Sequence, residues 1–460
     1  MTQYIDNDEK EGISPDYTCD VLIIGAGFAG AVTAYELKRK VPEAHIIVMD
    51  KRYPGSHEAS YSIPFEIVEK LDLTFMIRNH ITENTYEIDS NDYKTVSDLY
   101  GENGGLATLS YTEICRNLLD GIEYVKGIFV KMLDSRTIIT QNGDTYQANI
   151  IIDATGWESP IRRQLGLRIP KIGAKTVLFK VENCNVSHPN RMKLAVGDFA
   201  SYGFWAEPQG DDVMLAGSGY WDELHHTISG DKIKLENLLL KYLDTYPEIF
   251  AEANVTERHF ARVAVDPVKQ VVSDRVISVG ESAGMSNPYW TLGAGHITDF
   301  IFDIMNHLVY ALQDPASIDK QMKNVQKVWR GMRSKYRKNW AAARVIWNQH
   351  ADGWQSIFEN REQLDEYTDP NKLVERQQNG SYGTRYAFKL MGFKRIMKTV
   401  YYMGIFNLRM LSQSFYDWYQ FNYREPSIYN WEELAEEVSS LRAQYGIDRI
   451  DTRSPYIAVV

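Results

Sequence analysis

The chain has 460 residues, 44% of them hydrophobic and 24% charged, with a formal net charge of -11. That length allows two or three domains or one large composite one, and the composition disfavours disordered, collagen-like and coiled-coil architectures. The excess of acids argues against a general nucleic-acid binder, because neutralising phosphates needs an excess of Lys and Arg.

The opening segment, MTQYIDNDEKEGISPDYTCD, is acidic and has no apolar centre. No window reaches roughly 18 uninterrupted apolar residues, so neither secretion nor membrane spanning is expected. Cys19, Cys115 and Cys184 are odd in number and far apart. They fit neither a disulfide framework nor a CxxC metal site, so the expected setting is a reducing cytoplasm and no metal is expected.

The first element is the apolar strand VLII at 21–24, followed by Gly25-Ala26-Gly27-Phe28-Ala29-Gly30 and a helical run, AVTAYELKRK. A strand feeding GxGxxG into a helix lets the backbone turn at Gly25 and approach a pyrophosphate at Gly27. Gly30 permits close packing of helix on strand, and the phosphate sits at the positive helix N-terminus. The next strand, HIIVMD at 45–50, ends in Asp50, at the spacing where a carboxylate accepts from ribose hydroxyls, with Lys51 beside it. Strand, helix and acid agree, which lifts the motif above a lone glycine pattern.

Further on, NIIIDATG at 149–156 closes a strand at Gly156, and RVISVG at 275–280 closes another at Gly280-Glu281-Ser282-Ala283-Gly284. Apolar strands alternating with helical stretches predict an α/β fold with a largely parallel sheet. Between 174 and 219 the runs TVLFKVE and DVMLAGSG lie closer together and predict a separate antiparallel sheet. After about 296 the pattern is helical almost to the end. From Lys320 to Arg344 there are nine Lys or Arg and no Asp or Glu, and Arg385 to Arg409 holds six basic residues among aromatics.

In these three segments and their order, over about 20–310, the sequence resembles the FAD-dependent superfamily of p-hydroxybenzoate hydroxylase-type monooxygenases, flavin-dependent halogenases and geranylgeranyl reductases. The resemblance implies an FAD-binding Rossmann-like domain over 17–170 and 266–312, an antiparallel substrate-binding sheet over 171–265 and a helical C-terminal region over 313–460. It implies that Gly280 and Glu281 hold the flavin ribityl or ribose, with Glu281 in place of the usual Asp. Pro288 with Asn287, and Gly293, Ala294 and Gly295, match the loop and helix start beside the flavin pyrimidine ring. Where the superfamily often has an Arg opening a helix, LSYTEICRNLLDG has Tyr111, and Arg116 one turn later either contacts the pyrophosphate or caps a surface.

The loop PGSHEASYSIP at 54–64 resembles the halogenase Gly-x-Glu stretch, but no Lys follows at halogenase spacing, and Lys94 lies late. His57 and Glu58 are candidate proton shuttles there, or a polar loop beside the cofactor. YGFWAEPQG at 202–210 resembles the substrate-facing strand of halogenases and geranylgeranyl reductases through Trp205 and Pro208. Trp205 is then an aromatic wall of the substrate site or ordinary sheet packing. Glu207 is a candidate general acid/base whose proton affinity burial raises.

No second GxGxxG follows a strand, so the electron donor is expected to be transient NAD(P)H or a partner reductase. These features imply an FAD-dependent oxidoreductase of monooxygenase or halogenase type acting on a hydrophobic small molecule. The alternatives are a reductase of isoprenoid double bonds and a non-catalytic flavin-fold protein at a membrane surface. The basic block at 320–344 is a candidate contact for an acidic carrier protein, an anionic membrane surface or a substrate phosphate.

Overall fold

The structure is a computed structural model that describes residues 14–56, 60–88, 91–96, 105–195, 204–223, 231–286 and 293–347. The chain begins with β1 (Tyr17–Ile24), α1 (Phe28–Lys40), β2 (Ile46–Asp50), β3 (Ser60–Pro64) and α2 (Phe65–Lys70). Then follow β4 (Asn79–Ile81), β5 (Glu83–Ile88), β6 (Asn91–Val96), β7 (Leu106–Ser110), α3 (Tyr111–Leu118), β8 (Glu123–Lys126), β9 (Phe129–Met132), β10 (Thr137–Thr140), β11 (Thr145–Asp153) and α4 (Pro160–Gln164). The remainder is β12 (Ile172–Glu182), β13 (Arg191–Ala195), β14 (Phe204–Gly210), β15 (Val213–Glu223), α5 (Asp231–Thr245), α6 (Pro247–Phe250), β16 (Asn254–Ala264), β17 (Val272–Ser273), β18 (Val276–Ser278), α7 (Gly293–Gln313) and α8 (Ile318–Trp347).

The first sheet runs β17-β18-β11-β1-β2-β8, with β10 pairing with β11 and β9 with β10. β18, β11, β1, β2 and β8 pair in parallel. Their sequences read as unbroken apolar runs because both faces are covered. Val21, Ile23, Ile150 and Ile152 point into a core with α1 and α7, while Leu22, Ile24 and Ile151 point into a second one. Along α1, Ala29, Ala31, Val32, Ala34 and Leu37 are buried; the small side chains let the helix lie close to the sheet. Its last turn carries Lys38, Arg39 and Lys40 and its first turn no acid. The cations suit the negative end of the helix dipole and the positive end stays available.

The second sheet runs β16-β12-β15-β14-β13-β5-β6. It is antiparallel except where β13 pairs with β5 in parallel. Its strands β5 and β6 come from 83–96, so the sheet draws on chain from within 17–170 as well as on 171–265. Sequence periodicity cannot reveal this, because register between distant strands is set by packing and not by local pattern. One face of the sheet, including Val177, Phe179, Phe204, Ala206 and Phe260, is covered by α5 through Leu235, Leu238, Leu239 and Leu243.

A third sheet, β3-β7-β4, lies between the other two. Ile63, Ala107 and Leu109 belong to the core beneath the parallel sheet. The opposite face carries Ser62 and Asn79, which bond to β14: Ser62 to the Glu207 side chain and Asn79 Nδ2 to the Pro208 carbonyl.

In α7, Ile297, Phe300, Ile301, Ile304, Met305 and Leu308 are buried against α1 and the sheet. α8 buries Ile318, Met322, Val325, Trp329 and Tyr336 on α7, at the spacing of one helical stripe. Lys320, Lys323, Lys327 and Arg330 line its exposed ridge. Arg333, in contrast, turns inward and donates from Nε to the Pro267 carbonyl. Among the described residues no helix is long and apolar enough to cross a membrane. The second basic stretch, 385–409, lies outside the described residues.

Candidate cofactor and substrate site

In an open parallel sheet, ligands bind beyond the carboxyl ends of the strands. Here four neighbouring strand ends, those of β2, β1, β11 and β18, bring Asp50, Gly25, Asp153 and Gly280 to one edge.

Gly25 has φ +112°, and a Cβ on it would lie 2.2 Å from the Ala154 carbonyl oxygen. A Cβ on Gly30 would lie 1.9 Å from the Gly25 carbonyl oxygen. Both obstacles are backbone, so the turn and the close seat of α1 require these glycines. Gly27 caps α1 without a side-chain bond, and a Cβ on it would lie 2.9 Å from the Tyr111 hydroxyl. Asp50 braces the turn: its Oδ2 accepts from Ala26 N at 2.8 Å and its Oδ1 from Arg52 N at 3.0 Å. Lys51 is exposed beside it, and Phe28 and Ala29 are buried at the start of α1.

The Tyr111 hydroxyl lies 2.9 Å from Phe28 N, at the amino end of α1. Thus Tyr111, at the position where the resemblance expects an arginine, reaches the amino end of α1. Arg116 does not share that position. It is exposed, and its guanidinium carbon lies 5.3 Å from the ring centroid of Tyr53.

Gly156 has φ +88° with open space where a Cβ would be. The strand end before it is held by a buried network. The Asp153 carboxylate accepts from Thr155 Oγ1 at 2.6 Å, Ser159 Oγ at 2.7 Å and Ser278 Oγ at 3.2 Å. Arg162, 1% exposed, donates to Ser278 Oγ and to the carbonyls of Arg168 and Gln270. Burial pushes the Asp153 carboxyl up, against the hydrogen bonds from Thr155 and Ser159, and pushes the Arg162 guanidinium down to about 10.

Gly280 has φ +67°, with a Cβ there only 2.6 Å from Ala29 Cβ, so this loop and α1 touch. Glu281 is half-buried, and desolvation pushes its carboxyl up to about 7 against a hydrogen bond from the Ala264 N–H. Gly293 and Ala294 are buried at the start of α7, where a Cβ on Gly293 would lie 3.1 Å from Ser286 Oγ. That hydroxyl is buried and has no hydrogen-bond partner among the described residues. Gly295 faces Pro64 of β3, 3.9 Å from where its Cβ would be.

The residues fit a bound flavin dinucleotide. Gly156 has open space where a Cβ would be, Asp50 ends the strand beside the glycine turn, and Ser286 has, among the described residues, an unpartnered buried hydroxyl close to the start of α7. Pro288, His57 and Glu58 lie outside the described residues.

On β14, Phe204 and Ala206 face α5, so by alternation Trp205 and Glu207 face the other way, toward the three-stranded sheet. The Trp205 indole lies over Gly217 of β15, where a Cβ would sit 2.3 Å from Cζ2. Glu207 is 6% exposed, and burial pushes its carboxyl up to about 7. Ser62 Oγ donates to Glu207 Oε2 at 2.8 Å. Sequence reading overlooked Ser62 and Ser286. The alternation in SYSIP, with Ser62 two residues before the proline that meets Gly295, is a signal that could have found the former.

A family model for an NAD(P)-binding Rossmann-like domain matches residues 23–85. No curated protein matches the sequence. Among solved structures, a geranylgeranyl bacteriochlorophyll reductase-like protein of Thermoplasma acidophilum is similar with a TM-score of 0.64 at 16% identity, over 92% of this chain and 99% of that one. A flavin-dependent brominase, Bmp2, gives 0.59 at 12% identity over 85% and 99%. The p-nitrophenol 4-monooxygenase PnpA of Pseudomonas putida gives 0.57 at 15% identity over 80% and 99%. The chain therefore has the α/β fold found in FAD-dependent monooxygenases, a flavin-dependent halogenase and a geranylgeranyl reductase-like protein.

Proposed function

We propose that the protein is an FAD-dependent oxidoreductase acting on a hydrophobic small molecule, by oxygenation or halogenation-type chemistry. The observation that carries this reading is the convergence of the Gly25–Gly30 turn, Asp50, Gly156 and the Gly280 loop at four adjacent strand ends, with α7 starting beside them. Bound FAD would supply the two-electron redox chemistry. The chain's own residues position it: Asp50 holds the ribose, the amino end of α1 with Tyr111 takes the pyrophosphate, and Gly280 and Glu281 take the ribityl or ribose. Ser286 and the backbone at Gly293 to Gly295 take the polar edge of the ring system. Trp205 forms an apolar wall for the substrate.

The buried Glu207 favours a second reading, reduction of an isoprenoid-type double bond. Saturating a carbon–carbon double bond takes a hydride at one carbon and a proton at the other. A carboxyl that stays protonated near neutrality is suited to give the proton. The electron donor is NAD(P)H in passing or a partner reductase, and the exposed ridge Lys320, Lys323, Lys327 and Arg330 is a contact for an anionic partner.

The test is the absorbance spectrum of the purified protein before and after NADH or NADPH, with and without air, together with the nucleotide released on heating. One FAD per chain is expected. Recovery of NAD alone, or of no nucleotide after reconstitution, refutes the assignment. Bleaching that air does not reverse favours the reductase over the oxygenase.

A further inference from the structure

The inference rests on the reading of Glu207 as an acid at the substrate face and deepens it. Ser62 and Glu207 are 145 residues apart in sequence, and each is 6% exposed. On β15, Leu215 stands opposite Glu207. The pairing of Lys193 with Ala206 places Met192 beside Glu207 on β13, and Met192 stands opposite Asn84 on β5. No charged group lies among these neighbours. The Gln209 amide does not serve the carboxyl either, because its Nε2 donates to the Glu207 main-chain carbonyl. Ser62 is thus the hydrogen-bond donor that the described residues present to this carboxyl.

A hydroxyl has one proton to donate. With that proton committed to Oε2, Oε2 is an acceptor in both protonation states, and the acid form carries its own proton on Oε1. We propose that Ser62 is the positioning residue of Glu207: its hydroxyl confines the acid's proton to Oε1, gives the carboxyl a single delivering oxygen, and stabilises the carboxylate left behind. When the proton leaves Oε1 for a substrate atom, the negative charge stays on a carboxylate still bonded to Ser62. A proton from water then restores the acid.

The experiment uses the full chain labelled with 13C at glutamate carboxyls, with Glu207→Gln identifying the Glu207 signals. The Glu207 carboxyl should titrate near 7. In Ser62→Ala the midpoint should rise by roughly 0.5–1 unit, the worth of one hydrogen bond to the charged form. The infrared carbonyl stretch of the acid should move to higher frequency. Ser62→Thr should restore both, and Ser62→Cys, a weak donor, should fall between. In turnover, the limb of the kcat profile that needs the acid should move up by the same amount in Ser62→Ala, with KM little changed. A midpoint and stretch unchanged in both Ser62→Ala and Ser62→Cys overturn the proposal. A shifted midpoint in a protein whose Glu207→Gln variant turns over normally supports the hold of Ser62 on the proton and overturns the reading of Glu207 as the reaction's acid.

Discussion

Replacing Glu207 by Gln should stabilise the protein at alkaline pH and leave it nearly unchanged at acid pH. Burial raises the folded-state carboxyl from 4.5 to about 7, with the Ser62 hydrogen bond opposing. Because the folded value lies above the unfolded one, the unfolded chain releases this proton first as pH rises. The folded state is therefore penalised from about pH 4.5 upward, and the penalty levels off above about pH 7. At about 1.36 kcal/mol per unit, the displacement corresponds to ~3 kcal/mol. Glutamine keeps an oxygen for the Ser62 hydroxyl and does not ionise. Guanidinium melts of the full chain at pH 5, 6, 7 and 8 should show variant and wild type within about 1 kcal/mol at the lowest pH and the variant ahead by ~3 kcal/mol at the highest. A difference that is flat across this range, or that shrinks as pH rises, refutes the argument that burial governs this carboxyl.

Gly30→Ala should abolish FAD retention and lower thermal stability, since its Cβ would meet the Gly25 carbonyl oxygen at 1.9 Å; a cost of roughly 1–3 kcal/mol or more is expected for such overpacking, and a variant purifying with full FAD content contradicts the cradle. Arg162→Met removes the cation beside Asp153 and strands the carbonyls of Arg168 and Gln270; a loss of about 3–5 kcal/mol in denaturant melts is expected, and a loss under about 1 kcal/mol argues that the network is dispensable. Lys323→Glu with Arg330→Glu should weaken binding to an anionic partner, and wild-type binding should fade with added salt; vesicle and protein binding that neither change alters leaves only a solvated ridge. Stopped-flow mixing with NADPH alone should reduce the flavin slowly, whereas rapid saturable bleaching at micromolar NADPH contradicts the expectation, drawn from the lack of a second GxGxxG after a strand, that nicotinamide binds weakly.

The edge formed by the glycine turn and Asp50 was legible in the sequence because each part of it is local. A strand, a glycine turn, a helix and an acid at the end of the next strand follow one another in 30 residues, and backbone geometry alone imposes them. The strand carrying Trp205 and Glu207 was legible through the resemblance of Trp205 and Pro208 to a substrate-facing strand, which left open which way Trp205 faces. What local pattern could not give was pairing across the chain. The entry of 83–96 into the seven-stranded sheet, the arrival of Ser62 at Glu207 and the seat of Tyr111 at Phe28 all depend on contacts between residues 80 to 150 positions apart, which no periodicity encodes. Arg116 shows the same limit in reverse. A cation one helical turn from the matching position turns outward to Tyr53, because α3 buries Ile114, Cys115 and Leu118 on its other side.

The small sheet of β3, β7 and β4 has a consequence for exchanging parts of this protein with others of the same architecture. Its strands interleave in sequence with β5 and β6, yet one of its faces completes the core under α1 and the other carries bonds to β14. A chimera cut near residue 170 would join a foreign antiparallel sheet to this one's β5, β6, Ser62 and Asn79 and would break both the edge pairing of β13 with β5 and the carboxyl's only described donor. The seven-stranded sheet is therefore transferable intact only if residues 60–110 travel with 172–264, so that two separated stretches of chain must be inherited as a single unit.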